Sequence, residues 1–134
     1  MFVCERSGSG DPARAWELMS RPQEWSSWAP HVRGAWGFGD GEVRVGARGY
    51  ARLLGVVPIP ARITAVDPGR SWTWQVGPVE MVHLVDRAAE GCSVAVEISA
   101  PAPIEAALRI GYRPLVDRLL GRLLSESSRS LLVG

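Results

Sequence analysis

His83 is the side chain in this sequence best suited to acid–base chemistry. It alternates with Met81 and Val85, and side chains two residues apart on a strand share a face, so we expect it to point toward an apolar interior. Three interpretations are open: a core histidine with a buried partner, a polar anchor for a ligand carbonyl or hydroxyl, or a general acid or base. No acidic residue shares its predicted face, so His83 is only a weak catalytic candidate, and the catalytic residues are otherwise unknown.

The other reactive side chains point less clearly to chemistry. Tyr112 is predicted beside a break in the last helix, where it either acts as a second polar anchor or simply packs. His31 follows Pro30 in a loop, and we expect it at the surface. The sequence has two cysteines, Cys4 and Cys92. With no signal peptide at the N-terminus, we interpret them as buried free thiols and not as a disulfide.

Motifs for metal, phosphate and nucleophile chemistry are not recognisable in the sequence. The His and Cys residues do not have the spacing of metal ligands, and the glycines fall in turns, not in a phosphate-binding loop. No serine stands in the strand–turn–helix motif of a hydrolase nucleophile. We therefore predict neither a metal nor a cofactor.

The composition argues against several classes of partner. The net charge is +1, whereas nucleic-acid binding requires a dense basic face, and no segment has the run of ~20 apolar residues that a membrane span needs. The 134 residues fit a single domain, 1–134. All 15 basic residues are Arg, and neither Lys nor Asn occurs, which suggests a GC-rich bacterial genome. Without a signal peptide, we expect a cytoplasmic protein.

The elements that must position these side chains are indicated by turn signals and periodicity. A first strand is predicted at about 2–7, followed by two short helices at 11–20 and 21–28 that begin at Asp11-Pro12 and near Pro22. Turn residues then recur about every ten positions, as between consecutive antiparallel strands. We predict six further strands near 32–38, 42–54, 59–67, 71–76, 79–87 and 92–99. Helical spacing predicts a short helix at 102–111, a kink at Gly111–Pro114 and a main helix from about 114 to 130.

Alternation within the strands predicts one apolar and one wet face, as in an antiparallel sheet covered on one side. Trp72 and Trp74 lie on the apolar face, where they either fill the core or form the wall of a pocket. Small residues across from them favour a partial void. The small residues are Ala47, Gly49, Ala51, Ala61 and Ala65. The wet face carries Arg44, Arg48, Arg52 and Arg62, which we interpret as a solvated stripe, with an anionic partner as the alternative.

This order of elements resembles the START-like, or SRPBCC, superfamily, and within it the polyketide cyclase/dehydrase-type branch. The segments that carry the resemblance are ARAWELMSRPQEWSSWAP, VRVGARG, ITAVDPGRSWTWQVG and VHLVDRAAEGCSV. The resemblance implies an α+β helix-grip fold, in which a curved seven-stranded antiparallel sheet wraps around a long C-terminal helix. It also implies a cavity between sheet and helix, where family members bind lipids, sterols, hormones or polyketide intermediates. Some members catalyse cyclisation or dehydration.

The resemblance and the residue pattern together predict that the chain binds a small hydrophobic molecule. One alternative is a polyketide aromatase/cyclase-type enzyme that uses His83, and a second is a ligand-free interaction domain. The identity of the ligand and the oligomeric state are left open. The residues predicted to line the cavity are Trp72, Trp74, Met81, His83, Ala47, Ala51, Ile63, Val94, Val96, Tyr112, Leu115 and Leu119.

Overall fold

The computed structural model describes residues 1–28, 35–38, 41–51, 58–89 and 91–133. Within these residues the strands are β1 (Phe2–Gly8), β2 (Ala35–Trp36), β3 (Arg48–Ala51), β4 (Ile59–Asp67), β5 (Ser71–Val76), β6 (Val79–Ala88) and β7 (Gly91–Ser99). The helices are α1 (Pro12–Ser20), a 3-10 turn at Pro22–Glu24, α2 (Trp25–Trp28), α3 (Ala102–Gly111) and α4 (Arg113–Val133).

The described strands form one antiparallel sheet in the order β1-β7-β6-β5-β4-β3-β2. Strands β2 to β7 follow each other as neighbours, and β1 pairs with the last strand, β7. The α+β class and the open antiparallel sheet are therefore confirmed. Six of the strands have four or more residues, so the predicted number of seven is reached only by counting the two-residue strand β2 at the edge.

The strand predicted at 42–54 is wrong in its first half. Residues 42–47 precede β3 as a turn, in which Gly46 has a φ of +90° and Ala47 donates to the carbonyl of Arg44. A left-handed glycine interrupts the alternation of faces, so Val45 is 64% exposed instead of facing the core. Within the described residues, β3 is confined to Arg48–Ala51, and the end of the predicted strand lies outside them.

A bulge in β4 corrects a second expectation about the apolar face. Ile63 pairs with Trp74, but Ala65 pairs with Thr73, so one extra residue is inserted between them. An extra residue exchanges the two faces of the strand beyond it. As a result Ala65 is exposed, and Val66 takes the position across from Trp72 and packs against the core.

Both predicted N-terminal helices are present, the second as a 3-10 turn followed by α2. The carboxylate of Asp11 accepts a hydrogen bond from the backbone N–H of Ala13 at 3.2 Å, and Pro12 occupies the first turn, where its missing N–H is not needed. Helix α1 buries Leu18 and Met19 against the sheet. Their carbonyl groups become important at the site described below.

The C-terminal helix is broken as predicted, and its buried face matches the predicted one only in part. Tyr112 separates α3 from α4, and Pro114 lies in the first turn of α4, where it costs no backbone hydrogen bond. The break changes the phase of the helix, so a periodicity extended from α3 no longer applies. Helical spacing in the sequence predicts one apolar face made of Ile104, Leu108, Tyr112, Leu115, Leu119 and Leu123. Leu108 and Leu123 are buried, whereas Leu115 and Leu119 are only half-buried and Ile104 is 37% exposed. The buried side chains of α4 are Val116, Leu120, Leu123, Leu124 and Ser127.

The core lies between the sheet and the helices α1 and α4, which also contact each other. Helix α4 contacts β1 and β7, whereas α1 contacts β6 and β7. In the part of the chain that is described, no helix combines the length and apolar composition needed to cross a membrane.

Candidate functional site: an aromatic cluster on the covered face of the sheet

Five aromatic rings gather on the covered face of the sheet. They belong to Trp72 and Trp74 of β5, His83 of β6, Trp25 of α2 and Phe38 in the segment after β2. The Trp72 ring is stacked between His83, with ring centroids 3.8 Å apart, and Trp25, at 5.9 Å. Trp74 meets the rings of Trp72 and His83 edge-on, at 5.4 Å and 5.7 Å. These side chains form the aromatic cluster.

The strand register explains why the rings meet. Trp72 lies directly opposite His83, and Trp74 lies opposite Met81. Because side chains two residues apart share a face, both tryptophans and both of their partners point to the same side of the sheet. Directly opposite side chains have Cβ atoms about 5 Å apart, which brings the flat faces of Trp72 and His83 into contact.

His83 is buried and neutral at physiological pH. Its Nδ1 lies 3.3 Å from the carbonyl oxygen of Trp72. A carbonyl can only accept, so this contact assigns the proton to Nδ1 and leaves the Nε2 lone pair as an acceptor. Burial lowers the pKa of His83 from 6.5 to about 4, an effect that the hydrogen bond to Trp72 opposes only in part. A group with this pKa is a poor proton donor or base near pH 7.

The indole N–H groups around the cluster differ in whether they have a partner. Trp25 and Trp72 both donate to the carbonyl oxygen of Met19, at 2.9 Å and 3.2 Å, and Trp28 donates to that of Leu18 at 2.8 Å. The N–H of Trp74 is also buried, yet no group in the described residues accepts from it. Leaving such a donor unpaired costs on the order of 1–3 kcal/mol. The cluster therefore contains one unsatisfied donor next to one neutral imidazole acceptor.

Most of the residues predicted to line a cavity do lie together on the covered face. Ala47 and Tyr112 are partly buried against the edge of the same core. Leu115 and Leu119 flank the buried face of α4. The fully covered members of the predicted set are Ala51, Ile63, Trp72, Trp74, Met81, His83, Val94 and Val96.

Tyr112 lies at the break between α3 and α4 and packs against the core. Burial, reinforced by the nearby Cys4, raises its pKa to about 12, so it keeps its proton. Cys4 is on β1, two strands from β6, and its strand position is therefore about 9.6 Å across the sheet from that of His83. The hydrogen bond and ring contacts found for His83 in the described residues do not involve Tyr112, the other predicted polar anchor. His31 lies outside the described residues.

Two members of the cluster were not anticipated from the sequence. Trp25 was assigned to a short helix and Phe38 to the end of a strand, with no expectation that either would contact Trp72 and Trp74. Trp25 stacks on Trp72 at an interplanar angle of 12°, and Phe38 lies 5.6 Å from Trp74. In the sequence, the only indication was that both residues have large aromatic side chains. Their contacts with Trp72 and Trp74 join residues far apart in the chain, so no local pattern indicates them.

Metal chemistry has no visible basis at this site. Among the described residues, no group of three or more His, Cys, Asp or Glu side chains is arranged to hold a metal ion. The chemistry that the cluster offers is instead apolar stacking, with one hydrogen-bond donor and one acceptor.

Solved structures with the same fold come from several sources. Protein MLL2253 from Mesorhizobium loti has a TM-score of 0.74 and 16% identity, with 96% of this chain and 97% of that chain covered. Protein BH1534 from Bacillus halodurans has a TM-score of 0.68 and 13% identity, with 91% and 94% covered. At these identities the likeness concerns the fold alone.

A third similar structure is DynU16, a protein in the dynemicin biosynthetic locus. Its TM-score is 0.66 and its identity 19%, with 94% of this chain but only 48% of DynU16 covered. This chain thus spans about half of DynU16. Among curated proteins, no sequence matches this chain.

The sequence of residues 8–127 matches a family described as polyketide cyclase / dehydrase and lipid transport. The match extends from the end of β1 to Ser127, the last described buried side chain of α4, and so includes the whole aromatic cluster. The resemblance inferred from the residue pattern is therefore confirmed, and the chain belongs to this polyketide cyclase/dehydrase and lipid transport family.

Proposed function

We propose that this protein binds a small, flat, apolar molecule that carries a carbonyl and a hydroxyl group, against the aromatic cluster. The observation that carries the proposal is the buried N–H of Trp74, which has no partner among the described residues. Membership of a family named for polyketide cyclisation and lipid transport supports an apolar ligand.

The geometry of the cluster suggests the polarity of the ligand. The indole N–H of Trp74 can only donate, so it selects a carbonyl oxygen. The neutral ring of His83 accepts at Nε2, so it selects a hydroxyl. The ring centroids of Trp74 and His83 are 5.7 Å apart, so one fused aromatic molecule is large enough to contact both side chains.

The test is a titration with 6-acetyl-2-naphthol, which has a carbonyl and a hydroxyl, alongside 2-ethylnaphthalene, which has neither. We expect saturable binding of both, and tighter binding of the naphthol. Trp74→Phe should weaken naphthol binding about tenfold, which corresponds to one hydrogen bond, and leave the hydrocarbon unaffected. Trp16→Phe, on α1 and outside the cluster, is the matched control.

Two outcomes of this titration would contradict the proposal. If neither probe binds saturably, the aromatic rings serve only as core, and the chain is better explained as a ligand-free interaction domain. If both probes bind but Trp74→Phe affects them equally, the proposed hydrogen bond is wrong.

A polyketide aromatase/cyclase-type activity is the second candidate. It is favoured by the family description and by the structural similarity to a protein in the dynemicin biosynthetic locus. With a pKa of about 4, His83 would orient a hydroxyl more readily than it would exchange protons, so rate enhancement would come from holding a poly-ketone in a reactive conformation. Equal turnover by His83→Phe and wild type on every tested polyketide would remove His83 from this role.

A further inference from the structure

The outer face of the sheet carries two arginines in direct opposition. Arg48 of β3 pairs with Arg62 of β4, and both side chains are exposed. Like charges that lie directly opposite each other on neighbouring strands repel, so this pair costs stability when no anion is present. The ion pairs found among the described residues do not involve either arginine.

The nearest carboxylate in this row of the sheet, that of Glu80, forms no ion pair with Arg62 among those found in the described residues. Arg62 lies opposite Gln75, which in turn lies opposite Glu80. Two strand spacings separate Arg62 from Glu80, or about 9.6 Å. The amide N–H of Gln75 donates to the carbonyl oxygen of Gly77 at 3.0 Å, which holds this neutral side chain in place between them.

An apolar surface adjoins the two guanidinium groups. Tyr50 lies two residues from Arg48 on the same face and directly opposite Pro60. The Tyr50 side chain is 47% exposed. All four residues line one open cleft of about 600 Å³ on the outer face. The cleft therefore combines two cations with an aromatic ring and a proline ring.

We infer that this outer cleft, here called the arginine cleft, binds a small organic phosphate that carries a flat ring. The guanidinium groups of Arg48 and Arg62 would hold the phosphate oxygens, because their planar forks match an oxyanion with two hydrogen bonds each. The flat ring would rest on Tyr50 and Pro60. The anion relieves the repulsion between the two arginines, so binding and stability are linked.

The arginine cleft is distinct from the aromatic cluster. Side chains alternate across a strand, so Arg62 and its neighbour Ile63 point to opposite sides of the sheet, and Ile63 is fully buried in the core. A ligand in the cleft would lie outside the sheet, whereas the cluster lies beneath it. A negative binding result at the aromatic cluster therefore does not predict a negative result at the arginine cleft, or the reverse.

The test is an NMR chemical-shift titration with phenyl phosphate, inorganic phosphate and phenol at about pH 7.5, where a phosphate monoester carries close to two negative charges. We expect phenyl phosphate to bind with a dissociation constant on the order of millimolar, more tightly than inorganic phosphate, and to lose affinity with added NaCl. Phenol alone should not bind in the cleft.

Substitutions test separately the contribution of the arginines and that of the aromatic ring. Arg48→Gln and Arg62→Gln should each weaken phenyl phosphate binding at least fivefold, because one charge-assisted contact is lost. Arg87→Gln, at an exposed position near the end of β6, removes the same charge and should leave binding unchanged. Tyr50→Ala should reduce the affinity for phenyl phosphate to that for inorganic phosphate.

Three results would overturn the inference. One is the absence of saturable shifts with either phosphate. Another is an equal loss of affinity in Arg87→Gln, which would mean that only the net charge matters. The third is shifts that map to the covered face of the sheet instead of to β3 and β4.

Discussion

At the level of single residues, the burial of His83 controls how the protein responds to acid. The unfolded chain takes up a proton on this residue near pH 6.5, whereas the folded chain does so only near pH 4. Between these values protons favour the unfolded state, so the free energy of unfolding falls as the pH falls from 6.5 to 4. The difference in pKa corresponds to about 3 kcal/mol.

Replacing His83 with a residue that does not titrate should remove this contribution to the pH dependence of stability. His83→Phe keeps a flat ring against Trp72 but has no titrating group, so we expect its stability to fall much less than that of wild type between pH 6.5 and pH 4. Urea unfolding at a series of pH values measures the difference, in which contributions from carboxylates shared by both proteins cancel. Parallel pH profiles for the two proteins would show that the pKa of His83 is not lowered by folding.

The direction of the His83 side chain could be predicted from sequence, but its chemical state could not. Alternation with Met81 and Val85 sufficed to place it on the covered face. Its tautomer depends on the carbonyl of Trp72, and its low pKa depends on burial among the rings packed around it. These neighbours are set by the pairing of β5 with β6, which is not a property of the residues next to His83 in the chain.

At the level of elements, the phase of α4 is the feature that sequence periodicity misplaced. Helical spacing placed Leu115 and Leu119 on the buried face, although apolar residues occur on more than one side of this helix. The break at Tyr112 and the contacts of α4 with α1 and β1 instead bury Val116 and Leu120. Helical spacing identifies an apolar stripe only when the rest of the helix surface is clearly polar.

A pair of substitutions in α4 tests this phase. Leu120 is 1% exposed, and we expect Leu120→Ala to cost about 3 kcal/mol, from lost burial and a residual cavity. Leu119→Ala, the same change at a half-buried position, should cost about 1 kcal/mol or less. Chemical unfolding of both variants measures the two costs, and the reverse order would place the originally predicted face against the sheet.

Substitution by alanine should have opposite effects on stability at two glycines, Gly91 and Gly111. A methyl group on Gly91, at the start of β7, would overlap with the carbonyl oxygen of Gly8 in the neighbouring β1, so Gly91→Ala should destabilise by at least about 2 kcal/mol. Gly111, at the end of α3, has open space around it, so Gly111→Ala should stabilise the helix by about 0.5 kcal/mol. Thermal unfolding of the two variants should shift the midpoint in opposite directions. Equal effects would contradict the close approach of β1 to β7.

At the level of the whole molecule, the two cysteines report on global unfolding. Both thiols are buried and free, as predicted from the sequence. Cys4 pairs with Val96, four residues along β7 from Cys92, so the two sulfur atoms are on strand positions about 13 Å apart and cannot form a disulfide. Burial, with a smaller contribution from Asp117, raises the pKa of Cys4 to about 11, and burial also raises that of Cys92.

The last prediction concerns thiol reactivity. At pH 8 we expect the native protein to leave a disulfide reagent such as DTNB almost unreacted, because neither thiolate is formed or accessible. In urea, both cysteines should react rapidly, in proportion to the unfolded fraction. Rapid reaction of one thiol in the native protein would show that β1 or β7 opens locally without global unfolding.

Several features could be predicted from the amino-acid sequence: the order of the elements, the broken C-terminal helix, the family and the direction of most side chains on β5, β6 and β7. These features depend on contacts within one strand or helix, on turn residues and on caps, which are local in the chain. Alternation was reliable wherever a strand continued without interruption, as at Trp72, Trp74 and His83.

Contacts between residues far apart in the chain could be identified only from the three-dimensional packing. The turn at Gly46 and the bulge before Ala65 changed the face of the sheet to which nearby side chains point. The packing against α1 set which side of α4 is buried, and Trp25 stacks on Trp72. The same is true of the unpaired N–H of Trp74 and of the opposed Arg48 and Arg62. In each case the deciding free energy comes from burial or charge across strands, and a local pattern does not encode which residues will be opposite each other.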